Sequence, residues 1–183
     1  MIPELQKVVH QELLIGKDTK ITMTRYLERR TKMKKEKVVI VSGYFDPLHV
    51  GHLEYFKLAK ELADELIVIV NNRKQCLLKK GDEFMDEHDR LKIVFHLDMV
   101  DEAILAEDID KSVCETIKSI KRMKPFNELV FCNGGDRDAS NSPEVQVCGE
   151  LGIDFQQGLG KKIRSSSDMT GLVEYDEPNA FKR

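Results

Sequence analysis

Val38-Val39-Ile40-Val41-Ser42-Gly43-Tyr44-Phe45-Asp46-Pro47-Leu48-His49-Val50-Gly51-His52 is the stretch that decides the fold. Four β-branched residues in a row, Val38–Val41, read as a strand buried on both faces, the pattern of a parallel sheet. Ser42-Gly43 ends it. From His52 to Leu62 an apolar stripe of Leu53, Phe56, Leu58, Ala59 and Leu62 predicts a helix, and Leu66–Val70 is a second buried strand. Residues 38–70 are therefore a βαβ unit. Open α/β sheets bind ligands beyond the carboxyl ends of their strands, so Gly43–His52 is the first place to look for a site.

The alternation continues downstream. Glu87–Leu97 and Lys111–Met123 predict helices, the second stopped by Pro125. Glu102–Leu105, Leu129–Cys132 and Ile153–Gln156 predict strands. Pro143–Leu151 predicts a short helix with proline at its first turn. The expected fold is α/β: a Rossmann-like open parallel sheet with helices on both faces. One domain, residues 37–171, carries it. Residues 1–36 are expected to be an N-terminal extension, helical, and 172–183 a C-terminal tail.

Length and charge fit that plan. A chain of 183 residues buries about 70% of the surface its unfolded form exposes, enough for a core without disulfides. Lys20–Lys37 carries eight basic residues against Glu28 and Glu36, a local +6 in a chain of net −3, which leaves −9 elsewhere. Such a segment is either a nucleic-acid arm or a solvated helix face. With Tyr26 its only aromatic, stacking support is thin, and nucleic acid is not the expected partner. The four cysteines, Cys76, Cys114, Cys132 and Cys148, form no CxxC pair and read as free thiols of a reducing compartment. No apolar run approaches the ~20 residues that span a bilayer. A cytoplasmic protein with no membrane partner is expected.

Within Gly43–His52, Gly43 permits close backbone approach and Gly51 keeps the helix start uncovered. His49 and His52 stand at a helix N-terminus, where free N–H groups and the dipole favour anions. Two imidazoles there can donate to a triphosphate. A zinc site is the competing chemistry, but the spacing lacks the i, i+4 of helical zinc pairs, and no metal ligand is assigned.

The same string, Gly43-Tyr44-Phe45-Asp46-Pro47-Leu48-His49-Val50-Gly51-His52, resembles the GxFDxxHxGH signature of the cytidylyltransferase-like nucleotidyltransferases, which include glycerol-3-phosphate cytidylyltransferases and heptose-phosphate adenylyltransferases. Further segments resemble the family in order. Lys79-Lys80 follow the second strand, where the family has a phosphate-contacting lysine. Glu87-His88-Asp89-Arg90 resembles its E-x-x-R element. Asn133-Gly134-Gly135-Asp136 resembles its GGD or GDD, and Ser165-Ser166-Ser167 its ISTT or ISST element. Taken singly, each has a plainer reading: a solvated loop, a surface helix arginine, a turn and an N-cap. Their joint order favours the functional one.

The resemblance implies transfer of NMP from CTP or ATP to a small phosphorylated alcohol or sugar, of glycerol-3-phosphate or heptose-1-phosphate type, with release of pyrophosphate. It implies His49, His52, Lys79 or Lys80, and Arg164 in catalysis. Gly43, Tyr44, Phe45, Asp46, Gly51, Arg90, Asn133, Gly135, Asp136 and Ser165–Ser167 are expected to bind nucleotide, with Mg²⁺ carried on the phosphates and a homodimer as the assembly. The chain departs from the family at Asn72, where an aspartate is typical, at Arg137, and at Gly160–Arg164; these positions bear on base and acceptor choice. Class I aminoacyl-tRNA synthetases share a HIGH-type motif, but Lys32-Met33-Lys34-Lys35 precedes the HxGH, the wrong order for their second lysine motif. The alternatives are a non-catalytic nucleotide-binding regulator and a nucleic-acid-associated protein using the basic segment 20–37.

Overall fold

The computed structural model describes residues 35–134, 142–160 and 166–172. The expected N-terminal extension, with the basic segment through Lys34, and the tail from 173 lie outside the described residues. So do Gly135, Asp136, Arg137, Arg164 and Ser165.

Five parallel strands form one sheet in the order β3-β2-β1-β4-β5. They are β1 (Lys37–Gly43), β2 (Glu65–Val70), β3 (Glu102–Leu105), β4 (Glu128–Gly134) and β5 (Asp154–Leu159). The helices are α1 (Val50–Glu61), α2 (Arg73–Lys80), α3 (Glu87–Phe95), α4 (Cys114–Met123), α5 (Pro143–Leu151) and α6 (Ser166–Thr170). The order reverses between β1 and β4, so the crevice beyond their carboxyl ends is the switch point. Among the described residues no helix is long and apolar enough to cross a membrane.

Because successive side chains of a strand alternate faces, the β-branched runs feed two cores. Val38, Ile40, Ile67, Ile69, Leu129 and Phe131 pack with Ile117 and Ile120 of α4 and Val147 of α5. Val39, Val41, Leu66, Val68, Val70 and Val130 pack with Tyr55, Phe56 and Ala59 of α1 and Val94 of α3. A fully buried valine, leucine, isoleucine or phenylalanine contributes about 1.5–3 kcal/mol. This two-sided burial is why the strands read as continuous apolar runs.

Three elements differ from the expectation. Lys79-Lys80 are the last turn of α2, not a loop. The helix is only eight residues long and its apolar residues, Cys76-Leu77-Leu78, are consecutive, so it has no apolar stripe at helical spacing to betray it. Its signals are at its ends: Asn72 accepts from the Gln75 amide, and Gly81, at φ +77°, closes it in the left-handed conformation that glycine tolerates. The helix expected from Lys111 starts at Cys114, because the buried Asp108 carboxylate accepts from the Glu115 and Thr116 amides and caps it there. β4 runs on through Asn133-Gly134, so these two lie in the strand rather than in a following turn.

Candidate active site

His49 is the N-cap of α1, in extended conformation. Its carbonyl accepts from the His52 amide at 2.9 Å, and its own N–H donates to His52 Nδ1 at 3.3 Å. The two rings stack, with centroids 3.7 Å apart and planes 13° from parallel. Since Nδ1 of His52 is an acceptor, the proton of the neutral ring belongs on Nε2. Burial, and then the charges of His49 and Lys80, push the His52 pKa down to about 3. The ring is therefore a neutral Nε2–H donor at neutral pH, set where the first amides of α1 also lack helical partners.

The structure separates the two lysines. Lys80 is buried at the C-terminal turn of α2, and its Nζ donates to the Asp46 carbonyl at 3.0 Å. That places an ammonium inside the Tyr44–His49 loop, close enough to bear on His52. Lys79 points to the rim, its Nζ 4.5 Å from the centroid of the Tyr44 ring.

Asp46 and Arg90, both expected to bind nucleotide, are engaged with backbone groups of this chain. Asp46 is fully buried, and its two carboxylate oxygens accept from the Phe84 and Met85 amides at 3.0 and 2.8 Å. Arg90 is 1% exposed, so it is not a surface helix residue. Its guanidinium donates to the carbonyls of Met85, Tyr44 and Asn71 at 2.9, 2.7 and 2.7 Å, with Glu83 3.6 Å from Nη2. Together they lace the 81–86 loop to the HxGH loop and to the end of β2. Phe45, expected to frame base or ribose, is 2% exposed and turns its ring inward.

Other expected residues fall around this centre. The Ser166 hydroxyl donates to the Pro47 carbonyl at 3.0 Å, bringing the start of α6 to the HxGH loop, and Ser167 follows in the same turn. Asn133 and Gly134 end β4 beside β1; a Cβ on Gly134 would lie 3.0 Å from the Tyr55 ring. Gly51 lies in the first turn of α1. Asn72, read as a possible determinant of base choice, commits its amide elsewhere: it donates to the Ala106 and Asp108 carbonyls at 2.9 and 2.8 Å. Sequence reasoning missed Tyr55, whose hydroxyl donates to the Cys132 carbonyl at 2.5 Å and pins α1 to β4. It also missed Gln75, which braces Asn71. Both carry only the ordinary signal of a polar group inside a helix.

A stacked histidine pair at a helix N-terminus, with a lysine buried beside it at the switch point of a parallel α/β sheet, is what fold and site define. The cytidylyltransferase-like family model matches residues 40–166, and the chain belongs to that family. It is 40% identical over 96 residues to the FAD synthase of Thermococcus sibiricus, a match covering 52% of this chain and 62% of that protein. To the FAD synthase of Thermoplasma acidophilum it is 41% identical over 115 residues, 60% of this chain and 80% of that one. Among solved structures it is similar to a lipopolysaccharide core biosynthesis protein from Thermoplasma volcanium. That likeness has a TM-score of 0.57 at 28% identity, over 69% of this chain and 98% of that chain.

Proposed function

We propose that the protein is a nucleotidyltransferase that adenylates the phosphate of an alditol-type phosphomonoester, with ATP as donor and FMN as acceptor. The observation that carries the reaction class is the stacked His49–His52 pair at the start of α1, with Lys80 buried beside it. The acceptor is supported by likeness to proteins named FAD synthase. FMN ends in a phosphorylated ribityl chain, a phosphomonoester like glycerol-3-phosphate, but it is not of the acceptor type first expected from the sequence. Glycerol-3-phosphate and heptose-1-phosphate, the acceptors first expected, are the comparison arms.

An acceptor phosphate oxygen attacks the α-phosphorus of ATP, the bond from that phosphorus to the bridging oxygen breaks, and pyrophosphate leaves with the bonding pair. Catalysis of this kind is positioning plus stabilisation of developing charge. The neutral Nε2–H of His52 donates to a phosphate oxygen without repelling Lys80, and the His49 imidazole and first α1 amides add donors. Lys80, rather than Lys79, is the cation that draws donor and acceptor phosphates together. Arg164 and Ser165–Ser167 hold the outer phosphates, and Asn133–Asp136 border the nucleoside. Mg²⁺ fits as a passenger on the triphosphate and would offset its charge there. Asp46, the acid of the signature, has both oxygens taken by amides and offers it no ligand. A cytoplasmic homodimer completes this reading, by resemblance to the family.

The test is one panel: four NTPs against FMN, glycerol-3-phosphate, heptose-1-phosphate, choline phosphate and ethanolamine phosphate, scored by pyrophosphate release. ATP with FMN is expected to lead. Turnover of another pair with FMN silent overturns the acceptor assignment, and no release from any pair overturns the reaction class.

A further inference from the structure

Phe45 has φ +50°, the single positive value among the described non-glycine residues. An L-residue in the left-handed region costs about 1–2 kcal/mol, and such a conformation persists where surrounding contacts over-determine it. Here those contacts are visible. The ring packs edge-on against His52, centroids 4.9 Å apart at 87°, and edge-on against Phe56 at 5.0 Å and 68°. It also covers Gly43: a Cβ there would lie 2.7 Å from two of its ring atoms. Gly43 is not among the glycines of positive φ, so glycine is needed at that position for space and not for backbone freedom.

We infer that Gly43 and Phe45 form an interlock whose function is to set the imidazole of His52, making both positioning residues. The inference rests on the proposed use of His52 as a phosphate donor. His52 is held by three contacts: the edge of Phe45, the face of His49, and the His49 N–H on Nδ1. Flipping the ring by half a turn would put carbon where Nδ1 accepts and would move the Nε2–H away from its aim. A side chain on residue 43 pushes the Phe45 ring onto His52. A smaller residue at 45 leaves the imidazole without its edge support and lets water reach it. The left-handed turn at Phe45 is what folds the ring back over Gly43, so the strained backbone and the missing side chain are two halves of one device.

The experiment is a cycle of Gly43→Ala, Phe45→Leu and the double variant, with ¹⁵N imidazole spectra of His52, thermal unfolding, and kcat and KM for pyrophosphate release. Wild type should show His52 protonated on Nε2 alone. Phe45→Leu should mix the tautomers, raise the pH at which the ring protonates, and lower kcat about 10-fold with KM for the nucleotide little changed, as misaimed groups do. Gly43→Ala should do worse, and Gly43→Ala/Phe45→Leu should recover towards Phe45→Leu, because leucine vacates the space the new Cβ needs; contacting residues couple in this way. Should Gly43→Ala fail to fold, recovery of folding by the double variant shows the same coupling. A Phe45→Leu protein with unchanged His52 spectra, or a double variant no better than Gly43→Ala, overturns the interlock. Intact coupling and spectra in a protein that releases no pyrophosphate would instead overturn the functional reading.

Discussion

His52 joins the chemistry of the site to the stability of the fold. Its folded pKa, pushed down to about 3, lies below the ordinary 6.5, so between these values the unfolded chain binds a proton that the folded chain refuses. Stability therefore falls as pH drops through 6.5 and levels off below 3. Between pH 7 and pH 5 the shift converts to a loss of as much as about 2 kcal/mol. Urea titrations of wild type and His52→Asn should show that slope in the first and lose it in the second; parallel curves would refute it. Activity should respond differently. In the proposed reaction His52→Ala removes one transition-state donor, and about 10²-fold or more of kcat should go with it. Undiminished pyrophosphate release from that variant would remove His52 from the mechanism.

At the scale of elements, the sequence disclosed what has long-range regularity and hid what has only end signals. The β-branched runs and the α1 stripe were legible because burial on two faces, or on one, imposes a period. The short α2, its apolar residues bunched in one run, was not, and with it went the distinction between Lys79 and Lys80, which is a matter of which side of one helical turn faces the loop. Asp46 and Arg90 were found, but the backbone groups they meet were not. A signature marks that a residue type is needed, and only the fold shows that backbone amides and carbonyls meet these two. Their lacing of the 81–86 loop makes its own prediction. Asp46→Asn keeps the volume and turns one acceptor into a donor facing an amide. Hydrogen exchange over residues 81–90 should then quicken, with the β1 and β2 amides still protected. Arg90→Met leaves the Tyr44, Asn71 and Met85 carbonyls without their donor in a buried place and should cost about 3–5 kcal/mol, by analogy with breaking a buried charged pair. Unchanged urea midpoints for Arg90→Met would mean the brace contributes little.

Across the whole molecule the four cysteines report on both layers at once. Cys114 of α4 and Cys148 of α5 face one core, Cys132 of β4 faces the other, under α1 and α3, and Cys76 is buried in α2 beside the lacing charges. Burial pushes the thiols up, Cys76 and Cys132 to about 11 and Cys148 to about 12, with Cys114 raised as well. The thiolate is the reactive form, so each sulfur labels only when its surroundings open. A ligand that binds the folded state alone adds about 2.7 kcal/mol at one hundred times its Kd. If the cleft at β1 and β4 is the nucleotide site, ATP with Mg²⁺ at that concentration should slow labelling by Ellman's reagent about 100-fold for every thiol released by global unfolding. A thiol exposed by local opening remote from the cleft should keep its rate. Cys76, one turn of helix from Lys80, is expected in the protected set under either kind of opening, because freeing it moves the lysine proposed to hold the phosphates. Protection of Cys114 and Cys148 with Cys76 unaffected would place the nucleotide away from α2 and would break the link between Lys80 and the phosphate site.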